Sequence, residues 1–310
     1  MHHNRLVAGY CTVPLLYFSL LLGLVLGLTA CAKTGPGAAQ RAEASSTRAV
    51  RAEGTMPSAE TRYRRYLTGD TLSITTGDSL LLDALGQVYV WHRSGALEKI
   101  RSANQLAGSD TLRYRYHNVR LGQLSSVDLT NPLRPVLLYS DAQTVVWLNR
   151  NLSEARQVNL LDFGLDAVDA VAYAPAEGLW VYAPDRQRLL QIDRNGEPRY
   201  ESVELSQVFG RAIRAVEIVA TPRQVAMSTE DGRILLFGPF GAYRTQLLRP
   251  GRQLLANDDR LLFHEGAEWF TYAGDDGLVQ PIRQPSSGAE LVAPRAEFAL
   301  WRQGPRWWVE

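Results

Sequence analysis

The residues with the widest chemical reach in this chain are five histidines, two cysteines and 32 scattered carboxylates. His2 and His3 lie at the extreme N-terminus, which leaves His92, His117 and His264. None of these has a His or Cys two to five residues away, so the spacing of a zinc site is missing. His92 follows Trp91 and His264 precedes Glu265; each reads as a solvated or hydrogen-bonded side chain at a strand end. Asp193-Arg194-Asn195-Gly196 and Asp275-Asp276-Gly277 lack the alternating oxygens and distal bidentate Glu of a calcium loop, and read as hairpin turns. No Gly-x-Ser-x-Gly elbow, Walker loop or Gly-x-Gly-x-x-Gly fingerprint follows a predicted strand. A glycosidase pair is defined by a separation of roughly 5–9 Å in space, which spacing in sequence does not supply. No catalytic residue, cofactor or metal ligand is therefore assigned.

The N-terminus is more informative. Arg5, with His2 and His3, makes a weak basic start, and residues 15–28 form an uncharged apolar run. The run ends in Leu28-Thr29-Ala30-Cys31, which resembles the lipobox of bacterial lipoproteins. The resemblance implies cleavage between Ala30 and Cys31, a diacylglyceryl thioether on Cys31 and acylation of the new terminus. Several acyl chains anchor stably where one is marginal. The alternative is an uncleaved transmembrane helix, for which the 18-residue apolar run from Val13 to Ala30 is of borderline length. Cleavage would remove Cys11 and lipid would cap Cys31, so the mature body would hold no free thiol and no disulfide. Ala32, where an Asp would stand in the retention rule of enterobacterial lipoproteins, points to the outer membrane, facing the periplasm.

Residues 31–69 read as a flexible tether. They are rich in Ala, Gly, Ser, Thr and Arg, and residues 32–60 offer almost no large apolar side chain to offset ordering entropy. A coil of about 35 residues spans on the order of 30–35 Å. Tyr63-Arg64-Arg65-Tyr66 closes the segment, either as a basic contact with anionic headgroups or as a solvated approach to the first strand. The formal net charge of +1 leaves no electrostatic footprint for nucleic acid.

The elements that must position any site come from a repeat. Val88-Tyr89-Val90-Trp91 follows a Leu85-Gly86 turn, and apolar runs of the same shape start at residues 136, 179, 224, 261 and 298. The intervals are 48, 43, 45, 37 and 37 residues. Short strands repeating every 40–50 residues or so are the mark of a β-propeller. The pattern predicts an all-β, six-bladed β-propeller over residues 70–310. Its sixth blade is one strand short before the chain ends. A β-branched run at 71–74 is predicted to fill that place, because an open ring would leave unpaired backbone at the seam.

The domain resembles the divergent six-bladed group that includes NHL-like and TolB-like domains, on repeat shape alone; no Trp-Asp, Gly-His or kelch signature occurs. The run Ile74-Thr75-Thr76-Gly77-Asp78-Ser79-Leu80-Leu81-Leu82-Asp83 before Val88-Tyr89-Val90-Trp91 also resembles lipoproteins of Bacteroidota, a resemblance that implies a fold and no activity. Trp301, Trp307 and Trp308 are the candidate interaction surface, with packing at the ring seam as the competing assignment. The connections at 106–110 and 160–166 are candidate face loops. The expectation is a monomeric, membrane-anchored, non-enzymatic module that binds another envelope protein. A ligand-binding or lactonase-like propeller with a channel metal stands as the alternative, and a polysaccharide contact through aromatics as a third.

Overall fold

The computed structural model describes residues 65–67, 74–75, 77–101, 112–175, 178–274, 277–282, 288–295, 298–304 and 306–309. The predicted signal segment, Cys31, most of the predicted tether, the predicted connection at 106–110 and residues Asp275 and Asp276 lie outside them. Two compact units are distinguished, residues 1–56 and 57–310, and every described residue belongs to the second.

Six four-stranded antiparallel sheets form the blades of a β-propeller. The first strand in the chain, β1 (Arg65–Leu67), belongs to the last blade. Blade one holds β2 (Ser79–Leu82), β3 (Val88–Trp91), β4 (Leu97–Arg101) and β5 (Leu112–Tyr116). Blade two holds β6 (Ser126–Asp128), β7 (Val136–Tyr139), β8 (Thr144–Leu148) and β9 (Glu154–Asn159). Blade three holds β10 (Val171–Ala174), β11 (Gly178–Ala183), β12 (Arg188–Ile192) and β13 (Pro198–Glu201), followed by a short helix, α1 (Leu205–Phe209). Blade four holds β14 (Ala215–Ala220), β15 (Val225–Thr229), β16 (Ile234–Phe237) and β17 (Tyr243–Leu247). Blade five holds β18 (Arg252–Asn257), β19 (Arg260–Glu265), β20 (Glu268–Ala273) and β21 (Val279–Pro281). Blade six holds β22 (Glu290–Pro294), β23 (Ala299–Gln303), β24 (Arg306–Val309) and, outermost, β1.

The apolar runs are continuous rather than alternating because both faces of each sheet are covered. Strands β7, β8, β11, β15 and β16 are buried at every position. Each of six apolar clusters joins two neighbouring blades. Leu138, Val145 and Trp147 of blade two meet Leu179, Val181 and Leu190 of blade three, for example. At the ring seam, Leu300 and Val309 of blade six meet Leu82, Val88 and Val90 of blade one. No blade has a core of its own, so stability is shared around the ring.

Closure is as expected in kind but not in place. The closing strand is β1, paired Arg65 to Val309, Tyr66 to Trp308 and Leu67 to Trp307, and not the run at 71–74. Residues 71–73 lie outside the described residues, and Ile74 is not in a strand but packs into the seam between blades six and one. The reason is distance. The chain must travel from the outer edge of one blade to the inner strand of the next, about three strand spacings, or roughly 14 Å. Asp78 donates its N–H to the Thr75 carbonyl (3.1 Å) in a turn directly before β2, so a strand at 71–74 leaves too little chain for that crossing. The propeller thus begins at Arg65, inside the segment assigned to the tether.

A five-residue hairpin turn recurs at blade after blade. Its first N–H donates to the fifth carbonyl, and the fourth N–H donates to the first carbonyl, as at Asp83/Gln87 (3.1 Å) and Gly86/Asp83 (3.0 Å). The same pairing frames 193–197, 229–233 and 238–242. The fourth residue has positive φ, supplied by Gly86, Gly196, Gly232 and Gly241. At 149–153 the position is Leu152 (φ 58°), whose side chain is buried between blades one and two.

Candidate functional site

With the strands of each blade lettered A to D from the axis outward, antiparallel pairing puts all A-to-B and C-to-D connections at one end of the ring and all B-to-C and D-to-A connections at the other. Five exposed large apolar side chains share the second face. They are Val119 (75% exposed), Leu161 (52%), Val203 (53%), Val208 (46%) and Leu248 (74%), on the D-to-A connections of four consecutive blades.

Two glutamines fix two of these connections, those after β9 and β13. Gln143, in the B-to-C turn of blade two, donates to Ser140 O (2.6 Å) and Val168 O (3.2 Å) and accepts from Val168 N–H (2.8 Å). Gln187 repeats the arrangement one blade on. It donates to Pro184 O (2.7 Å) and Ile213 O (3.2 Å) and accepts from Ile213 N–H (2.6 Å). Both glutamines sit at positive φ, 46° and 53°, which aims each amide at the next blade. Gln187→Ala should leave the N–H of buried Ile213 unpaired and lower unfolding free energy by about 2–3 kcal/mol. Gln143→Ala should cost a similar amount, and the double variant should show additive losses in urea denaturation, since the staples share no partner.

Inside the ring, a cavity of about 280 Å³ lies on the axis. All six inner strands line it, with Leu80, Val127, Val171, Val219, Leu255 and Val292 among the apolar walls. Asp128, Glu217 and Arg295 are its three ionisable lining residues. Inner strands β14, β18 and β22 carry register shifts at Ala215/Glu217, Arg252/Leu255 and Leu291/Ala293, while β2, β6 and β10 pair regularly. The extra residues of these bulges, Val216, Gln253 with Leu254, and Val292, all line the cavity.

Each charged group is held by backbone. Asp128 accepts from Thr130 N–H (2.7 Å) and Tyr173 N–H (2.6 Å). Glu217 accepts from Leu254 N–H (2.9 Å), which the left-handed Gln253 (φ 53°) turns toward it. Arg295 donates through Nε to Leu82 O (2.8 Å) and through Nη1 to Ala256 O (2.9 Å), tying blade six to blades one and five. Burial lowers its pKa, and the charges of Asp128 and Asp83 oppose that fall. Asp83, fully buried beside the cavity, accepts from Leu85 N–H, Gln87 N–H and Tyr89 Oη.

Burial, with Asp128's charge added, pushes the Glu217 carboxyl up to about 7, against the pull of the Leu254 and Gln253 amides. The folded state thus holds this proton where an unfolded chain, at the ordinary 4.5, has released it. Glu217 favours folding fully below pH 4.5, and that advantage is lost as pH rises through 7. Glu217→Gln should therefore leave stability near pH 4 unchanged and raise it at pH 8 by up to ~3 kcal/mol, flattening the slope between. Denaturant midpoints at the two pH values check this.

Two of the three histidines, His92 and His117, are hydrogen-bonded. His92 lies between Asp78 (Nδ1 to Oδ2, 3.0 Å) and Glu98 (Nε2 to Oε2, 3.3 Å), and Arg113 holds the other Glu98 oxygen (3.1 Å). Burial raises the Asp78 pKa, but the Thr75 and Arg93 amides, the Thr75 hydroxyl and His92 outweigh it and hold it at about 2. His117 meets Ser94 O (3.2 Å), and the His264 ring lies 5.1 Å from that of Trp269. Among the described residues no three His, Cys, Asp or Glu side chains converge as a metal site.

The three C-terminal tryptophans are mostly spent on packing. Trp308 is 5% exposed. Trp301 packs into the cluster between blades five and six, and Trp307 into the one between six and one, with the Arg302 guanidinium 5.4 Å from its ring. Blade six has a neighbour on each side, and alternate side chains of its strands serve both.

No protein-family model matches the chain, and no curated protein matches it significantly. Solved structures similar to it include the WD40 domain of Pan2 from Neurospora crassa (12% identity, TM-score 0.49, covering 72% of this chain and 71% of that one). Virginiamycin B lyase from Staphylococcus aureus is similar at 16% identity and TM-score 0.46, covering 77% and 80%. BamB from Moraxella catarrhalis is similar at 10% identity and TM-score 0.38, covering 74% and 70%. Likenesses at this level of identity concern the fold alone.

Proposed function

We propose that this chain is a bacterial envelope lipoprotein, anchored through Cys31 in the outer membrane and facing the periplasm, whose propeller binds another envelope protein without catalysing a reaction. The observation that carries the reading is the face bearing Val119, Leu161, Val203, Val208 and Leu248, two of its loops braced by Gln143 and Gln187. Exposed apolar side chains on a rigid frame favour association, because little loop entropy is lost on docking. The lipobox-like Leu28-Thr29-Ala30-Cys31 supports the anchor, and the Ala, Gly, Ser and Arg composition after it supports a tether that holds the domain clear of the bilayer.

A photo-crosslinking amino acid at Val119 or Leu248, in living cells, tests the face. One discrete adduct from these sites, absent when the probe stands at Leu133 or Phe240 on the opposite face, is expected. The same adducts from both faces, or none from either, would overturn the face assignment. Incorporation of labelled fatty acid, lost in Cys31→Ser, tests the anchor separately.

A further inference from the structure

We propose that the axial cavity is a binding site for a small organic monocation, a primary ammonium on a short apolar body, held between the Asp128 and Glu217 carboxylates. At about 280 Å³ the cavity is at the small end of ligand sites, with room for a compact metabolite. Its walls are branched aliphatic side chains from all six blades, with Trp91 and Trp269. Such walls favour an apolar body over a hydrated metal ion, and the absence of a three-ligand cluster among the described residues points the same way.

Charge selects the head group. The ionisable lining is two carboxylates and one guanidinium, which leaves one negative charge in excess when both carboxylates are ionised. Arg295 does not neutralise either acid directly, because it spends Nε and Nη1 on Leu82 O and Ala256 O. Among the described residues, Asp128 accepts from the Thr130 and Tyr173 N–H groups and Glu217 from the Leu254 and Gln253 N–H groups, and neither has an ion-pair partner. A monocation brings the cavity to neutrality and supplies the ion pair that both acids lack. A buried carboxylate without such a partner is costly, which is why Glu217 keeps its proton up to about 7.

The bulges in β14, β18 and β22 give the site its asymmetry. Glu217 accepts the Leu254 N–H beside Gln253, which is in a left-handed conformation (φ 53°), a strained state for a non-glycine residue. Strain of this kind at one side of a cavity, with regular pairing in β2, β6 and β10 at the other, marks a place shaped for more than closing the ring.

Binding is coupled to a proton. Around Glu217 the charged groups are Asp128 on β6, Arg295 after β22 and Asp83 after β2; β10 and β18 contribute no ionisable side chain to the cavity lining. A cation favours ionised Glu217, so occupancy expels its proton below pH 7 and affinity falls as pH falls.

Titration calorimetry of the detergent-solubilised full chain tests the site with butylammonium chloride, its isosteres butyrate and butanol, and magnesium chloride as probes. The expected result is saturable binding of one butylammonium per chain. It should be at least tenfold tighter at pH 8 than at pH 5.5, with net proton release at pH 6.5 seen by comparing buffers of different ionisation enthalpy. Glu217→Gln should remain folded by circular dichroism, weaken butylammonium tenfold or more and remove the pH dependence; Asp128→Asn should weaken it as a second, independent variant. Equal binding of butanol would reduce the cavity to an apolar void. Preferential binding of butyrate or magnesium, unchanged affinity in both variants, or no saturable heat with any probe would overturn the proposal. This site is independent of the loop face, so loss of either reading leaves the other standing.

Discussion

Starting the propeller after Leu67, so that β1 is lost, is expected to lower its stability by about 3–6 kcal/mol and its melting temperature by about 10–20 °C. The ladder lost is short, Arg65 to Val309, Tyr66 to Trp308 and Leu67 to Trp307. Each backbone hydrogen bond is worth only about 0.5–1.5 kcal/mol net, so the ladder itself accounts for less than the whole. The remainder comes from position. Without β1, strand β24 becomes the edge of blade six, and the Trp307 and Trp308 strand is opened to water and to other chains. The seam is also where blade six meets blade one, through Leu300 and Val309 against Leu82 and Val88. Two outcomes accompany the lower melting temperature: concentration-dependent association by light scattering, and faster amide exchange concentrated in β22 to β24. A truncated chain that melts within 2 °C or so of the parent would show that the ladder is not what closes the ring.

Arg295→Met is expected to cost about 3–5 kcal/mol, a large effect for one side chain that touches no partner of opposite charge directly. Arg295 joins three blades at the axis through the Leu82 and Ala256 carbonyls. Met fills the apolar part of the space but leaves both carbonyls without these donors, at roughly 1–3 kcal/mol each when they are shielded from water. It also removes the one cationic side chain lining the cavity, so Asp128 loses a favourable charge. Arg295→Lys should recover only part of the loss, since a single ammonium lacks the fork that reaches two carbonyls on different blades. Urea midpoints for the three proteins rank them, with parent above Lys above Met. A Met variant within about 1 kcal/mol of the parent would mean that water satisfies the two carbonyls and the bridge is not structural.

Much of the ring was legible before the structure because blade strands covered on both faces must be apolar throughout. Val136-Leu137-Leu138-Tyr139 and Leu179-Trp180-Val181-Tyr182 carry that signal in composition alone, and the Asn195-Gly196 and Asp231-Gly232 turns punctuate it. The closing strand was misplaced because Arg65-Tyr66-Leu67 is three residues long and flanked by charge, while the run at 71–74 looks more strand-like. What decides between them is the span across the blade, a property of three dimensions. Helix α1 was missed for a similar reason: five residues show little periodicity.

The axial residues were hidden for a different reason. Asp128 and Glu217 are single carboxylates in the inner strands of blades two and four, and Arg295 follows β22 in blade six, far apart in sequence. One local signal existed: Glu217 interrupts the otherwise apolar Val216-Glu217-Ile218-Val219, and a charge within such an inner strand must face either the axis or a partner. Nothing in the spacing shows that the three converge. The glutamine staples were invisible because Gln143 and Gln187 resemble ordinary polar turn residues until their left-handed backbone is known. For the tryptophans the sequence left display and seam packing side by side, and the two sides of one blade divide Trp301 and Trp307 between neighbours.

The point of joining has a mechanical corollary. The polypeptide enters the ring through β1, so any tension arriving from the N-terminal side falls first on that three-residue ladder. The ring has in effect a rip-cord: a modest pull would strip the outermost ribbon and unlatch the seam while blades two to five stayed folded.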